Sequence, residues 1–243
     1  MQKTILLQST DSTNEYASKL LEKGKNIDNF LTVCSRIQEK GKGIYGSSWH
    51  SEDYKNLTFS IIFFPNNLNV KDNFLLSMSV SLGICDYLKT HKINSKIKWP
   101  NDILIDKKKI CGILIETNIK SEQIQSSVIG VGLNINQTNF PGEIKNPVSI
   151  KNITGRTYDI EEELKRISAF IIKRLKNLAE ENFADIKNEY ISNLYNYNIL
   201  HTYKTKTGTI EASVVDVNND GVVILLTNNG ENLRFYFKEI VMI

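Results

Sequence analysis

The sequence predicts an α+β protein in which a mixed β-sheet with flanking helices is followed by a small C-terminal β unit. Apolar runs rich in β-branched and aromatic residues, above all Leu57 to Phe64, have the length and composition of buried strands. Asp72 to Leu88 and Ile160 to Leu178 instead repeat apolar residues at helical spacing. Beyond Asn198 the character changes. Ile210 to Val217, Val222 to Thr227 and Leu233 to Phe237 read as short antiparallel strands, separated by the turn pairs Asp220-Gly221 and Asn229-Gly230.

Taken in order, Ser12-x-x-Glu15 is a capping box opening a helix, with Ala17, Leu20 and Leu21 as its apolar face and Gly24 as its stop. On local grounds Ser12 and Thr13 need do no more than cap. Phe30 to Ser35 is a short buried strand that leads into Gln38–Trp49, QEKGKGIYGSSW. Gly41, Gly43 and Gly46 let the backbone approach a ligand, Lys40 and Lys42 add positive charge, and Trp49 offers a stacking face. That combination suits an anionic ligand with a flat ring, although glycine-rich polar stretches are also common plain surface loops. The spacing fits G-x-G-x-x-G, but no helical repeat follows Gly46, which argues against a Rossmann turn. The segment between the two strands is long for a connection and fits a binding segment or lid.

The apolar face of 72–88, including Met78 and Cys85, reads as core packing. In IKWPNDILIDKKKICGILIE, Pro100 ends a strand in a tight turn, and Ile103 to Ile105 and Ile110 to Ile115 form a hairpin around Asp106 to Lys108. Lys107 and Lys108 are solvated tip residues, whereas Lys109 adjoins the apolar strand and can lay its stem along the sheet. Gly112 leaves room for a ligand against the backbone. VIGVGLNIN, 128–136, is a strand whose alternation places Asn134 and Asn136 on one face, as base-edge partners or as turn residues. Asp159-x-x-Glu162 is a second capping box before the 160–178 helix, and a further helix covers Asp185 to Tyr195.

At 243 residues the chain holds one large domain, or one domain and an appendix. Its 41% hydrophobic and 23% charged residues are ordinary for a soluble protein. A net charge of +3 with scattered lysines gives no footprint for nucleic acid or membrane. Cys34, Cys85 and Cys111 are far apart in apolar surroundings, which fits a reducing, cytoplasmic compartment rather than disulfides or zinc. There is neither a signal-peptide pattern nor a run of apolar residues long enough to span a membrane.

Five stretches together carry a resemblance. Ser12-Thr13-Asn14, the Gln38–Trp49 loop, Lys98-Trp99-Pro100-Asn101-Asp102, Lys109-Ile110-Cys111-Gly112-Ile113-Leu114-Ile115-Glu116 and Gly130-Val131-Gly132-Leu133-Asn134-Ile135-Asn136 stand in the order expected of biotin protein ligases. The sequence resembles that family over essentially its whole length. The resemblance implies a class II synthetase-like catalytic domain at 1–197 and a small SH3-like β-barrel at 198–243. It implies activation of biotin by MgATP as biotinyl-5′-AMP, then transfer to a lysine of a biotin carboxyl carrier protein. A reactive mixed anhydride has to be kept from water, which gives the long loop a reason to close.

By resemblance, Ser12, Thr13 and Gln38 are contacts to biotin's ureido ring, and Asn14 is a further biotin-binding residue. Gly41, Lys42, Gly43 and Ile44 lie on the loop that binds biotin's carboxyl end and the adenylate, where Lys42 is also an adenylate contact. Lys109 is similar to the lysine that holds carboxylate and phosphate oxygens, and Gly112 flanks biotin. Trp49 and Asn134 are similar to the adenine contacts. Asp102 is similar to the carboxylate that orients or deprotonates the incoming amine; Lys109, Asp102 and Lys42 are the catalytic set. Trp99 and Pro100 shape the turn. No set of metal ligands is legible.

Two departures from the family pattern follow. Where many members carry loop arginines, this chain has Lys42, Ile44 and Ser47, so Lys42 is expected to hold most of the loop's charge. Ser12 begins the first catalytic helix, so no DNA-binding module and no operator binding are expected. A homodimer remains compatible with the sequence. Lipoate–protein ligase is the nearest rival, a non-catalytic nucleotide- or carrier-binding module a second, and a nucleic-acid-binding barrel at Tyr203–Ile243 a third. The last lacks a basic face, because Asp216, Asp220, Glu231 and Glu239 interleave with its lysines.

Overall fold

A computed structural model describes residues 3–24, 26–178 and 182–243. The elements are β1 (Thr4–Thr10), α1 (Thr13–Glu22), β2 (Thr32–Gln38), β3 (Leu57–Phe63), α2 (Phe74–Thr90), β4 (Lys96–Lys98), β5 (Asp102–Ile105), β6 (Lys108–Lys120), β7 (Gln123–Leu133), α3 (Ile150–Thr154), α4 (Ile160–Asn177) and α5 (Phe183–Ser192). The C-terminal strands are β8 (Leu200–Thr205), β9 (Gly208–Val217), β10 (Val223–Thr227), β11 (Asn232–Phe235) and β12 (Ile240–Met242). The first seven strands form one sheet in the order β1-β2-β3-β7-β6-β5-β4, parallel only between β1 and β2. The mixed sheet, its helices and the separate antiparallel C-terminal sheet are the expected α+β architecture.

Strand alternation decides which side chains meet. On β3, Leu57, Phe59, Ile61 and Phe63 point to a core shared with α2, α4 and α5, as do Ile129, Val131 and Leu133 of β7. Ile62 and Val128 point the other way and pack with Ala17 of α1 and Val33 of β2. Helix α2 is buried on nearly all sides, serines included, because it lies between the sheet and the α4–α5 pair. A side chain at Gly83 would bring Cβ within 2.9 Å of the Ile171 Cα, so α2 and α4 can approach this closely only with glycine there.

The C-terminal strands form a five-stranded antiparallel sheet, β11-β10-β9-β8-β12. Its apolar face, with Tyr203, Val214 and Leu225, is continuous with the main core. Trp99 carries the junction. Its Nε1 donates to the Gly221 carbonyl at 3.0 Å, and its ring meets Phe237 at 5.2 Å between centroids. Lys187 of α5 also pairs with Asp216 at 2.8 Å.

The structure corrects several expectations. Strand β1 was not anticipated: it is a half-exposed edge strand and its apolar signal is diluted. Strand β2 runs on to Gln38, past the expected end at Ser35, so Gln38 stands on a rigid element. Strand β7 ends at Leu133, so Asn134 and Asn136 do not share a strand face; each turns back to bond backbone, Asn134 to Val148 and Asn136 to Tyr158. The Ser149–Asn152 capping box of α3 was missed, and β12 adds a strand by pairing with β8.

The tryptophan junction has a measurable consequence. Trp99→Phe keeps an aromatic ring against Phe237 but leaves the Gly221 carbonyl without its donor. The expected cost is about 1–2 kcal/mol, read as a lower urea midpoint at unchanged m-value.

Candidate functional site

The site is a depression in the sheet face that bears α1. Cross-strand register makes it. Thr58 of β3 pairs with Gly132 of β7, Gly132 with Gly112 of β6, and Gly112 with Asp102 of β5. The adjacent row on this face is Ser60, Gly130 and Leu114. Three glycines in adjoining rows leave the backbone bare where other residues would raise a wall of side chains. Their space is used: a Cβ at Gly132 would lie 2.3 Å from the Trp49 indole, and one at Gly130 would lie 2.3 Å from Asn14 Oδ1. The resulting cavity is about 200 Å³.

One end of it is polar. Ser12 caps α1 by accepting from the Glu15 N–H at 3.5 Å, which leaves its own proton free. Glu15 does not complete the capping box; its carboxylate pairs instead with Lys42. Gln38 Oε1 accepts from the Thr13 N–H at 3.0 Å and lies 3.3 Å from Thr13 Oγ1. Ser60, fully buried, stands 2.8 Å from Thr13 Oγ1 and 2.6 Å from Asn14 Oδ1. Asn14 Nδ2 in turn donates to Glu116 at 2.8 Å.

The other end is charged, and a β-bulge makes it so. Between β5 and β6 the register slips, with Ile103 opposite Cys111 but Leu104 opposite Lys109. Ile110 and Cys111 are therefore both fully buried although adjacent. The slip turns Lys109 onto the same face as Gly112 and Asp102. Lys109 Nζ lies 2.6 Å from Asp102 Oδ1 and 5.5 Å from the Trp49 ring centroid. Its backbone is clamped by the Asn146 carbonyl at 2.7 Å and the Val148 N–H at 3.0 Å.

The glycine loop is a short hairpin. The Trp49 N–H bonds the Gly41 carbonyl at 2.8 Å, Lys42 bridges Ser48, and the Gly43 N–H bonds the Ser47 carbonyl at 2.7 Å. A turn at 44–46, with Gly46 at φ +79°, closes it. A Cβ at Gly41 would lie 2.3 Å from the Trp49 carbonyl, so the hairpin needs glycine there. Hydrogen bonding to Glu15 raises the Lys42 pKa and lowers that of Glu15. Trp49 Nε1 is buried over Gly132 with no hydrogen-bond partner among the described residues.

Of the residues singled out from the sequence, Ser12, Thr13, Asn14, Gln38, Lys42, Gly43, Ile44, Trp49, Asp102, Lys109 and Gly112 all line this cavity. Gly41 lies behind it, supporting Trp49. Asn134 lines instead a second cavity of about 650 Å³, which shares Trp49 and Lys109 with the first. Its Nδ2 donates to the Val148 carbonyl at 3.0 Å. The second cavity is walled by Phe140, Pro141, Gly142, Glu143 and Pro147, none of which the sequence singled out. Ser60 and Glu116 were missed too, though the alternation of β3 and β6 puts both on the site face. The cysteines take no part: burial raises the thiol pKa of Cys34 to about 12 and that of Cys85 to about 11, and raises that of Cys111 further. Among the described residues no three His, Cys, Asp or Glu side chains are grouped to hold a metal ion, and no helix is long and apolar enough to cross a membrane.

Residues 6–134, which hold both ends of the cavity, match the biotin/lipoate A/B protein ligase family. The chain belongs to that family. It is 29% identical over 222 residues to the bifunctional ligase/repressor BirA of Bacillus subtilis, across 90% of this chain and 68% of that protein. It is 27% identical to the biotin–[acetyl-CoA-carboxylase] ligase of Paracoccus denitrificans, across 90% and 92%. Among solved structures, a biotin protein ligase from Aquifex aeolicus in complex with biotin and ATP superposes with a TM-score of 0.80 at 26% identity, covering 100% of this chain and 99% of that one. For a biotin/lipoate ligase, the glycine rows are the feature on which the pocket stands.

Gly132→Ala tests them. The new methyl group cannot coexist with Trp49 where it lies. In a Trp99→Phe background, which leaves Trp49 as the single tryptophan, the substitution is expected to shift the emission to the red and increase its quenching by acrylamide.

Proposed function

We propose that this chain is an ATP-dependent biotin–[biotin carboxyl carrier protein] ligase, which forms biotinyl-5′-AMP and passes the biotinyl group to a lysine of the carrier. One observation carries the reading. A cavity with a hydrogen-bonding end and a lysine–carboxylate end opens, past Trp49, into a second cavity large enough for a nucleotide. The hydrogen-bonding end favours a cyclic urea over the dithiolane ring of lipoate, whose sulfurs would leave those groups unpaired. The names of the relatives from Paracoccus denitrificans and Aquifex aeolicus support the same choice.

In this reading Ser12, Thr13 and Gln38 hold the ureido ring, Asn14 lines the same end, and Gly112 lets biotin lie against the sheet. Gly41, Lys42, Gly43 and Ile44 close over the carboxyl end. The nucleotide takes the second cavity, with adenine between Trp49 and the segment beside Asn134. A biotin carboxylate oxygen attacks the α-phosphorus, forming the acyl–phosphate bond and expelling pyrophosphate. Lys109, with Lys42 beside it, draws the two anions together and neutralises charge on the phosphate oxygens. Magnesium bound to the triphosphate would neutralise its charge and would need only one or two protein carboxylates; Asp102 and Glu143, which border the two cavities, would hold it. In the second step the carrier lysine's amine attacks the acyl carbon and AMP leaves with the bonding electrons. Asp102, released when Lys109 takes up phosphate oxygens, accepts the amine proton.

The C-terminal unit, bounded at residue 198, is a docked accessory domain in this reading. The three buried, unpaired cysteines fit a cytoplasmic setting.

The deciding experiment incubates the protein with MgATP, an apo biotin carrier domain and either biotin or lipoate. Mass spectrometry is expected to show a biotin-sized gain with biotin alone. No gain with either acid would sink the ligase reading, and a lipoyl gain would reassign it. Lys109→Ala should lower kcat/KM by about 100-fold or more. Lys42→Ala should leave the carrier step intact but let biotinyl-AMP escape sooner, read as adenylate released to solvent without carrier. Unchanged retention would remove Lys42 from the site.

A further inference from the structure

The polar end of the cavity is wired to a carboxylate that the reaction itself does not use. Glu116 stands on β6, two residues beyond Leu114, and accepts from Asn14 Nδ2 at 2.8 Å. A carboxylate only accepts, so Asn14 must turn its amino group toward Glu116; the same group also donates to the Leu114 carbonyl at 3.3 Å. Asn14 Oδ1 then faces Ser60, at 2.6 Å, and can only accept. Ser60 has one proton, and it goes to Asn14. With that proton committed, the 2.8 Å contact between Ser60 Oγ and Thr13 Oγ1 takes the Thr13 hydroxyl as donor, in preference to its longer 3.3 Å contact with Gln38 Oε1. Gln38 Oε1 is meanwhile held by the Thr13 N–H at 3.0 Å, which directs Gln38 Nε2 toward Gly41.

The chain of bonds thus runs in a single sense, and its consequence appears at the cavity wall. Thr13 spends its proton inward, so its remaining lone pair is an acceptor, while Ser12 and Gln38 keep free donors. A cyclic urea presents the matching set, N–H groups beside a carbonyl oxygen.

We propose that Glu116, acting through Asn14 and Ser60, is a positioning residue that fixes the donor–acceptor polarity of the ring-binding end and so selects acids that carry a ureido ring. The inference deepens the ligase reading and rests on it. Three observations unrelated to that reading bear on it. Ser60 is fully buried, and among the described residues its hydroxyl bonds Thr13 and Asn14 alone. Gly130 is the only residue type that leaves Asn14 Oδ1 where it is, 2.3 Å from a would-be Cβ. And β6 alternation places Glu116 on the site face, where, although the residue is exposed, its carboxylate accepts from Asn14.

The test measures biotin KM, ATP KM and kcat for Glu116→Ala, Ser60→Ala and Glu116→Gln, with the urea midpoint of each as a check on folding. Glu116→Ala and Ser60→Ala are expected to raise the biotin KM about ten- to a hundredfold, with ATP KM and kcat at saturating biotin near wild type. Glu116→Gln can still offer an oxygen to Asn14 and should restore a KM close to wild type. An unchanged biotin KM in both alanine variants would overturn the proposal, as would a joint change in all three parameters. So would a Glu116→Gln variant as impaired as Glu116→Ala. If one alanine variant does not fold, the other decides. A wild-type protein that makes no biotinyl-AMP would instead defeat the ligase reading itself.

Discussion

The pairing of Gly112 with Gly132, beside Gly130 in the next row, is the constraint on which the site depends. A β-sheet face covered by ordinary side chains is a surface without depth. Removing three adjacent side chains lowers it by about the length of a side chain and exposes backbone to a ligand. Everything above the floor follows from that depth. Trp49 can lie flat against Gly132, Asn14 can reach across Gly130 to Glu116, and α1 can bring Ser12 and Thr13 to the rim. The strand interior tolerates this loss of packing because the opposite face of the same strands is filled by Ile129, Val131, Leu133 and Ile113.

A second local irregularity supplies the charge. Without the bulge at Ile110, strict alternation would send Lys109 into the core beside Cys111 and Ile113. Burying an ammonium there would cost several kcal/mol, so the slip in register and the lysine are mutually consistent. The bulge is held from outside as well, because the 146–148 segment bonds both the N–H and the carbonyl of Lys109. That segment is in turn held by Asn134. The residue first read as a base contact therefore has a supporting part in positioning Lys109, whatever it offers to the second cavity.

Much of this was legible in the sequence. Gly112 after Lys109, the capping Ser12, and the Gly41–Trp49 loop each carry a signal within a few residues, and all of them meet at one cavity. Elements governed by distant partners were not legible. The length of β2, and with it the rigidity of Gln38, depends on pairing with β1, whose own pattern is faint. Asn134 and Asn136 looked like strand alternation because nothing local says where β7 stops. Trp99 was read as a turn residue, yet its indole is committed to Gly221, more than a hundred positions away. Ser60 and Glu116 drew no attention because each is ordinary for its strand; only the pairing of β3, β7 and β6 connects them through Asn14.

The charges around the cavity make a final point about ligand entry. Lys40 pairs with Asp11, Lys42 with Glu15 and Lys109 with Asp102, so each lysine near the cavity already has a carboxylate partner. Anionic substrates must therefore exchange partners rather than meet bare cations. For Lys42 the exchange is easy, because both it and Glu15 are largely exposed and solvent screens the pair. The Lys109–Asp102 pair is less exposed, at 34% and 24%, and its exchange has a chemical product. In the proposed reaction Lys109 turns to phosphate and carboxylate oxygens, and Asp102 then loses its cation. An arginine-rich loop could hold an adenylate by bidentate bonds; with ammonium groups alone, the proposed function would make retention fall more heavily on Trp49, on the hairpin above it and on the fit of the ring at the far end.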